Sequence, residues 1–317
     1  MRVFVTGAIG FVGGWLQREL AANGHEVVAA PGPAQLDITD RDGLIRWFST
    51  SGTPDGVIHL AGMAFAPDAH KDPSEAFRVN VAGTIALFEA LRSLGIRPAV
   101  LVSGSADVYG TPRQEDLPLT EQAPLCPLLP YAISKAAQEA VAVEAGLRYG
   151  FPVVVTRSFN HAGPGQRPVF VVAAMARRVL AVQRGETTAI PTGNVDVRRD
   201  LSDVRDVVRA YRLLLEAAVD GSIGAPPAIV NVASGRVVTV RWVIEQLCGL
   251  AGVHPALQVD ASLVRVSDPA EIAGDSSLLT SLTGWRPEIP LEQTLADVLS
   301  DAAARHSTSG DAFGTPV

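Results

Sequence analysis

The segment "TGAIGFVG", residues 6–13, stands between an apolar run and an amphipathic one, and its reading decides the fold. It carries Gly7, Gly10 and Gly13 between "RVFVTG" (2–7), read as a buried strand, and "FVGGWLQRELAANG" (11–24), read as a helix that Gly24 can end in a left-handed cap. Glycines so placed let the backbone turn tightly and approach a pyrophosphate seated on a helix N-terminus, here opened by Phe11. The plainer alternative is a glycine-rich turn without a ligand. The position, in the first strand–helix unit of a parallel sheet, favours a dinucleotide.

Working outward, short β-branched runs alternate with helical stretches. "HEVVAA" (25–30), "GVIHLAG" (56–62), "AVLVSGS" (99–105) and "PVVVTRSFN" (152–160) read as strands, and Ser74 to Leu94 reads as helical. Strands that are apolar throughout imply a parallel sheet covered on both faces, a doubly wound α/β fold of the Rossmann type. After Asn160 the texture changes. "VVAAMARRVLAVQRG" is a helix ending at Gly185, Asp203 is a candidate N-cap with Asp206 three residues on, and "AIVNVAS" (228–234) is expected to rejoin the main sheet. The expected division is a dinucleotide domain of 1–163 plus about 196–234, a smaller lobe of about 164–195 plus 235–306, and a disordered tail, 307–317.

Composition sets limits. The 317 residues are 47% hydrophobic and 19% charged, with a formal net charge of -7. No broad basic field exists for nucleic acid or an anionic membrane, so an anionic ligand must be met by local arginines. The longest apolar stretch, Val169 to Val182, is interrupted by Arg177 and Arg178 and is unsuited to a bilayer. Cys126 and Cys248 have no neighbouring cysteine and read as free thiols. The six histidines show no HExxH or close carboxylate clustering, so no metal is expected, and no G-x-S-x-G elbow suggests a serine hydrolase. A soluble, cytoplasmic protein is the expectation.

The ribose selector is undecided. Past the second strand the chain reads "VVAAPGPAQ", with neither the acid that favours NAD nor the arginine that favours NADP. Further on, "LDITD" offers Asp37, with Ile38 beside it, as an acceptor for an adenine amino group; a turn aspartate is the alternative.

The chemistry-bearing stretch is "PYAISKAA" (130–137). Tyr131 and Lys135 lie four apart and share a helix face at about 3.6 residues per turn. A phenol with an ordinary pKa of about 10 is a poor acid, and an adjacent ammonium is expected to lower that value. Tyr131 could then exchange a proton with a carbonyl oxygen while hydride moves at the carbon, with Lys135 bonding the nucleotide ribose. Alone, the spacing is commonplace; behind a glycine loop it points to catalysis.

At these residues the chain resembles the extended short-chain dehydrogenase/reductases that act on nucleotide-sugars. The matching motifs are "TGAIGFVG", "LDITD", "VIHLAG", "VNVAGT", "SGSADVYG" and "PYAISKAA", in that order. The resemblance implies NADP(H) or NAD(H) as cofactor, Ser105 as the hydroxyl holding the reacting oxygen beside Tyr131, and Leu60, Ala61 and Gly62 as the strand end under the cofactor. It also implies that Asn80 organises Lys135 through water. The second half, "RSFNHAGPGQ", "RRDLSDVRDVVRAY" and "VRVSDPAEIAGDSSLLTSLTGWRPEIPLEQTL", is most similar to GDP-4-keto-6-deoxy-mannose reductases and next to GDP-mannose 4,6-dehydratases. By that resemblance Asn160, Arg199 and Arg265 hold a sugar diphosphate, and Arg177 is a further candidate. Arg177, like Arg178, Arg184 and Arg205, reads equally as a solvated helix arginine. His161 is expected to pack rather than react.

Three activities share such a site. A reductase needs one proton donor, whereas a 4,6-dehydratase needs further acid and base groups, usually ending in glutamate after the serine position. Here Ala106 and Asp107 follow Ser105, which weakens the dehydratase reading and leaves Asp107 as a base or a mere loop carboxylate; the resemblance of the second half favours the reductase. An epimerase, or a dinucleotide sensor without turnover, is a further alternative. The resemblance also implies a homodimer through Val81 to Leu94 and Tyr131 to Tyr149.

Overall fold

In this computed structural model, residues 1–264 and 269–308 are described. The first half runs β1 (Arg2–Thr6), α1 (Phe11–Ala22), β2 (Glu26–Ala29), α2 (Arg41–Ser51), β3 (Gly56–His59), α3 (Ala66–Lys71), α4 (Pro73–Phe77), α5 (Gly83–Ser93), β4 (Ala99–Ser103), α6 (Pro130–Tyr149) and β5 (Val153–Ser158). The second runs β6 (Asn160–Ala162), α7 (Val171–Gln183), β7 (Ala189–Thr192), β8 (Arg198–Asp203), α8 (Val204–Val219), β9 (Ala228–Val232), β10 (Val237–Thr239), α9 (Val240–Ala251), β11 (Ala256–Val259), β12 (Glu271–Ile272), α10 (Ser277–Thr283) and α11 (Leu291–Thr308).

Among the described residues the main sheet has the order β2-β1-β3-β4-β5-β9, with neighbouring strands parallel. Alternation within β1 explains why both faces are covered. Val3 and Val5 pack with Leu16 and Leu20 of α1 and Tyr211 and Leu215 of α8, while Phe4 turns to Leu44 and Phe48 of α2, Leu87 of α5 and Ala142 of α6. The late strand joins this sheet as expected, Thr156 lying opposite Val230.

A separate apolar core binds α7, α9 and α11 through Met175, Val179, Ile244, Leu247, Leu295 and Val298. The segment 235–306 does not all belong there. Leu279 of α10 and Trp285 are fully buried in the main core, and the Trp285 indole donates to the Asp206 carbonyl at 2.9 Å. Burying so large a ring against α8 outweighs continuity along the chain. Asp203 caps α8 by accepting from the Arg205 amide at 2.7 Å; Asp206 serves elsewhere, accepting from the amides of Glu288 and Ile289.

Two other expectations shift. The helical stretch after Ser74 is broken by a π-helical turn over Arg78–Ala82. The last helix continues to Thr308, beyond the expected break at 307; the rest of that tail, 309–317, lies outside the described residues. No helix among the described residues is long and apolar enough to cross a membrane.

Candidate active site

The carboxyl ends of β1 and β3 meet at the glycine loop. Gly7 has φ +69°, and a Cβ there would lie 2.7 Å from the Ala61 nitrogen, so only glycine fits between the two strand ends. At Gly13 a Cβ would meet the Gly7 oxygen at 2.3 Å, which lets α1 sit tightly on its strand. No acidic residue occupies the first turn of α1, and Gly10 offers no side-chain cap. The amides opening at Phe11 are thus placed to receive an anion. This cradle fits a dinucleotide pyrophosphate.

Around it lie the other expected cofactor residues. Asp37 Oδ1 accepts from the Thr39 amide and hydroxyl, both at 2.9 Å, and Oδ2 from Arg78 Nη1 at 2.8 Å. The Thr39 amide and then Arg78 hold its carboxyl below the usual carboxylate range. Ile38 buries its side chain in the core against Gly83. Leu60, Ala61 and Gly62 are half-buried at the end of β3, and a Cβ on Gly62 would lie 3.5 Å from Lys135 Nζ.

Pro130 at the first turn of α6, with its fixed φ, starts a helix whose buried face carries Tyr131, Ser134, Lys135, Gln138 and Glu139. The Tyr131 hydroxyl is hydrogen-bonded to the Ser105 side chain. Ser105 itself caps a short 3-10 turn, accepting from the Asp107 amide at 3.2 Å. These groups are nearly closed to solvent: Ser105 is 8% exposed, Tyr131 9% and Lys135 6%.

The electrostatics correct one expectation. Burial raises the Tyr131 phenol above its ordinary value, the Asp107 carboxylate adds to this, and only the Ser105 hydrogen bond opposes it. Lys135 does not make the phenol more acidic here, because its ammonium points elsewhere, to the Ser103 carbonyl at 2.9 Å and Gln138 Oε1 at 2.8 Å. Burial pushes that ammonium down to about 8. Burial and the Asp107 charge therefore favour the neutral phenol over the phenolate.

Asn80 is fully buried in the π-helical turn. Its direct partners are the Met63 amide, from which it accepts at 2.8 Å, and the Ser134 hydroxyl, to which it donates at 2.9 Å. Direct contact with the ammonium comes from Gln138, which the sequence reading passed over although its spacing puts it on the same helix face. Tyr211 was also missed; its hydroxyl lies 2.7 Å from Ser158 Oγ and 3.4 Å from Ser103 Oγ.

The residues expected on the substrate side are more scattered. Asn160 is exposed at the start of β6, and Arg177 is exposed on α7. Arg199 on β8 donates to the carbonyls of Arg198 at 2.7 Å and Pro269 at 2.8 Å. Arg265 lies outside the described residues. His161 stacks on Phe11 with ring centroids 6.4 Å apart, its Nδ1 lies 3.1 Å from the Phe159 carbonyl, and burial lowers its pKa.

Comparison with known proteins agrees with this geometry. Residues 3–233 match the NAD dependent epimerase/dehydratase family. The chain belongs to that family. It is 38% identical over 96% of its length, and 98% of the relative's, to the GDP-6-deoxy-D-mannose reductase of Pseudomonas aeruginosa. Its fold superposes with a TM-score of 0.87 on RMD from Pseudomonas aeruginosa complexed with NADPH, at 37% identity, covering 96% of this chain and 99% of that one. The Thermus thermophilus UDP-glucose 4-epimerase complexed with NAD follows, at a TM-score of 0.81 and 28% identity, covering 96% and 99%. As a member of this family the protein is an NAD(P)-dependent enzyme.

Proposed function

We propose that this enzyme reduces the C4 ketone of a nucleotide-activated 4-keto-6-deoxy sugar, with a GDP-linked sugar as substrate. The observation that carries the reading is the pair Tyr131 and Lys135 on the buried face of α6, with Ser105 against the phenol and Lys135 Nζ beside Gly62 at the end of β3. Similarity over nearly the whole chain to a GDP-6-deoxy-D-mannose reductase supports it.

The nicotinamide, when bound, supplies the hydride. Tyr131 gives its proton to the oxygen that was the ketone, and Ser105, already on the phenol, holds that oxygen in place. Lys135 bonds the ribose. The amides of the Gly7–Gly10–Phe11–Gly13 loop bear the pyrophosphate, Asp37 and Ile38 border the adenine, Leu60–Ala61–Gly62 floor the cofactor, and Asn80 braces the helix under it. Arg177, Arg199 and Arg265 receive the sugar diphosphate through guanidinium forks that an acidic protein must supply locally, with the Asn160 carboxamide as a further donor. Asp107 works through its charge, which opposes phenolate; a base that ionised Tyr131 would not be placed so. No carboxylate ends β2 to repel a 2′-phosphate, so NADPH is accepted along with NADH.

The protein works as a cytoplasmic homodimer in this reading. Ile85 on α5 and Leu129, Ile133 and Leu147 on or beside α6 are 41%, 41%, 40% and 68% exposed, an apolar set suited to a second copy.

The test is incubation with NADPH and GDP-4-keto-6-deoxy-mannose, and separately with GDP-mannose, with products read by mass. Gain of two hydrogens by the first is expected. Loss of water from GDP-mannose would instead identify a dehydratase.

A further inference from the structure

Behind Lys135 runs a line of buried polar side chains drawn from four elements, α6, α5, β3 and β1. Gln138, whose Oε1 accepts a hydrogen bond from the ammonium, donates from Nε2 to Thr84 Oγ1 at 3.0 Å. His59 Nε2 lies 3.1 Å from the same Thr84 oxygen, and His59 Nδ1 lies 2.8 Å from Thr6 Oγ1. His59 and Thr84 are 0% exposed, and Gln138 is 1%.

Counting protons fixes the direction of every bond. A hydroxyl has one proton, and that of Thr84 goes to the Asn80 carbonyl at 2.7 Å, which can only accept. Both nitrogens that face Thr84 must therefore donate to it. His59 then carries its proton on Nε2, and its Nδ1 accepts from Thr6. Burial, with Lys135 adding to it, pushes the histidine down to about 3 and keeps it neutral. For Gln138 the consequence is sharper. With its amide nitrogen committed to Thr84, only the carbonyl oxygen can face the lysine; the flipped amide would set donor against donor.

We propose that Gln138, oriented by Thr84 and His59, is a positioning residue that fixes the ammonium of Lys135. The protein takes two of the three N–H donors, through Ser103 and Gln138. The remaining one is left for the side of Gly62, where a Cβ would come within 3.5 Å of Nζ and where the ribose would sit. Gln138 acts through neutral dipoles, so it directs the charge without adding one. Burial is the cause of the lysine's shift. The titratable groups around it are His59 from β3, neutral, and Tyr131 one turn earlier, which Asp107 faces; Glu139, next along the helix, is tied to Arg157 from β5.

This inference rests on the reading of Lys135 as the ribose ligand, and its test separates the two. NADPH affinity of the full chain is measured by fluorescence, without sugar, from neutral pH upward. Gln138→Met, similar in length but with no acceptor, should raise the dissociation constant about tenfold. Gln138→Glu, which sets a carboxylate against the ammonium, should move the alkaline limb of binding up by about one pH unit. Wild-type affinity in the first and an unmoved limb in the second overturn the proposal. If Gln138→Met does not fold, the limb of Gln138→Glu decides alone. Lys135→Met is the control: wild-type affinity there would sink the ribose assignment itself, whatever Gln138 does.

Discussion

The two sides of the proposed site are built in different ways. On the cofactor side, Gly7, Asn80, Ser134, Lys135 and Gln138 are locked by contacts that allow few alternatives: a strand end 2.7 Å from a missing Cβ, and buried hydrogen bonds in fixed directions. The residues proposed for the sugar side, Asn160, Arg177 and Arg199, come from three separate elements, and the Arg199 guanidinium rests on two backbone carbonyls. The contrast teaches that the proposed proton-transfer groups are held rigidly, whereas the residues proposed for the sugar are mostly long, adaptable side chains from separate elements.

The comparison can be broken most decisively at its centre. Tyr131→Phe should lower turnover by about 10²–10⁴-fold while NADPH still binds, checked by steady-state rates beside fluorescence titration. Near-normal turnover would mean that the rigid side does not hold the proton donor.

Next in size is the ion pair that pins α6 to β5. Arg157 and Glu139 form a buried bidentate pair, and Arg157 also donates to the Tyr109 hydroxyl and the Glu121 carbonyl, both at 3.0 Å. Arg157→Ala leaves a buried carboxylate alone and should cost about 3–5 kcal/mol in urea unfolding. A loss within a fraction of that would show the helix to be held by its apolar face alone. Gly7→Ala should cost about 1–3 kcal/mol and weaken NADPH binding, since the backbone there is left-handed and the added methyl meets Ala61.

On the adaptable side the effects are smaller. Arg199→Ala should raise KM for the sugar nucleotide about tenfold with little change in kcat, as loss of one charge-assisted contact would. An equal fall in kcat would place Arg199 at the transition state instead.

The gentlest probe is pH. The Lys135 ammonium, pushed down to about 8 from 10.5, is lost as pH rises through about 8, and NADPH affinity should decline there. Stability should move the opposite way. Between about 8 and 10.5 the unfolded chain binds a proton that the folded one does not, so this group's contribution rises with pH. Parallel curves of binding and unfolding against pH would contradict the assignment.

How much of this could be read from the chain follows the same division. Gly7, Gly10, Gly13, Tyr131 and Lys135 were legible because short spacings on one turn or one helix face dictate their geometry. The direction of the Lys135 ammonium was not, because it depends on a protein interior that desolvates it and on Gln138, which resembles any helix glutamine until burial is known. His59 and Thr84 converge from different elements, and no local pattern announces their meeting on one oxygen. The π-helical turn was equally hidden: the partners of its buried Asn80, Met63 and Ser134, are remote in sequence. Trp285, read as part of the lobe from its place near the end of the chain, belongs to the other core because ring volume outweighs sequence order.

That last placement bears on engineering. Trp285 and Leu279 plug the nucleotide half from behind, while two backbone amides just after them are tied to the Asp206 carboxylate. A fragment stopped at 234 would leave a socket with nothing to fill it. Grafting a foreign specificity module onto this scaffold would succeed only if the stopper, residues 277–289, travelled with the recipient rather than the donor.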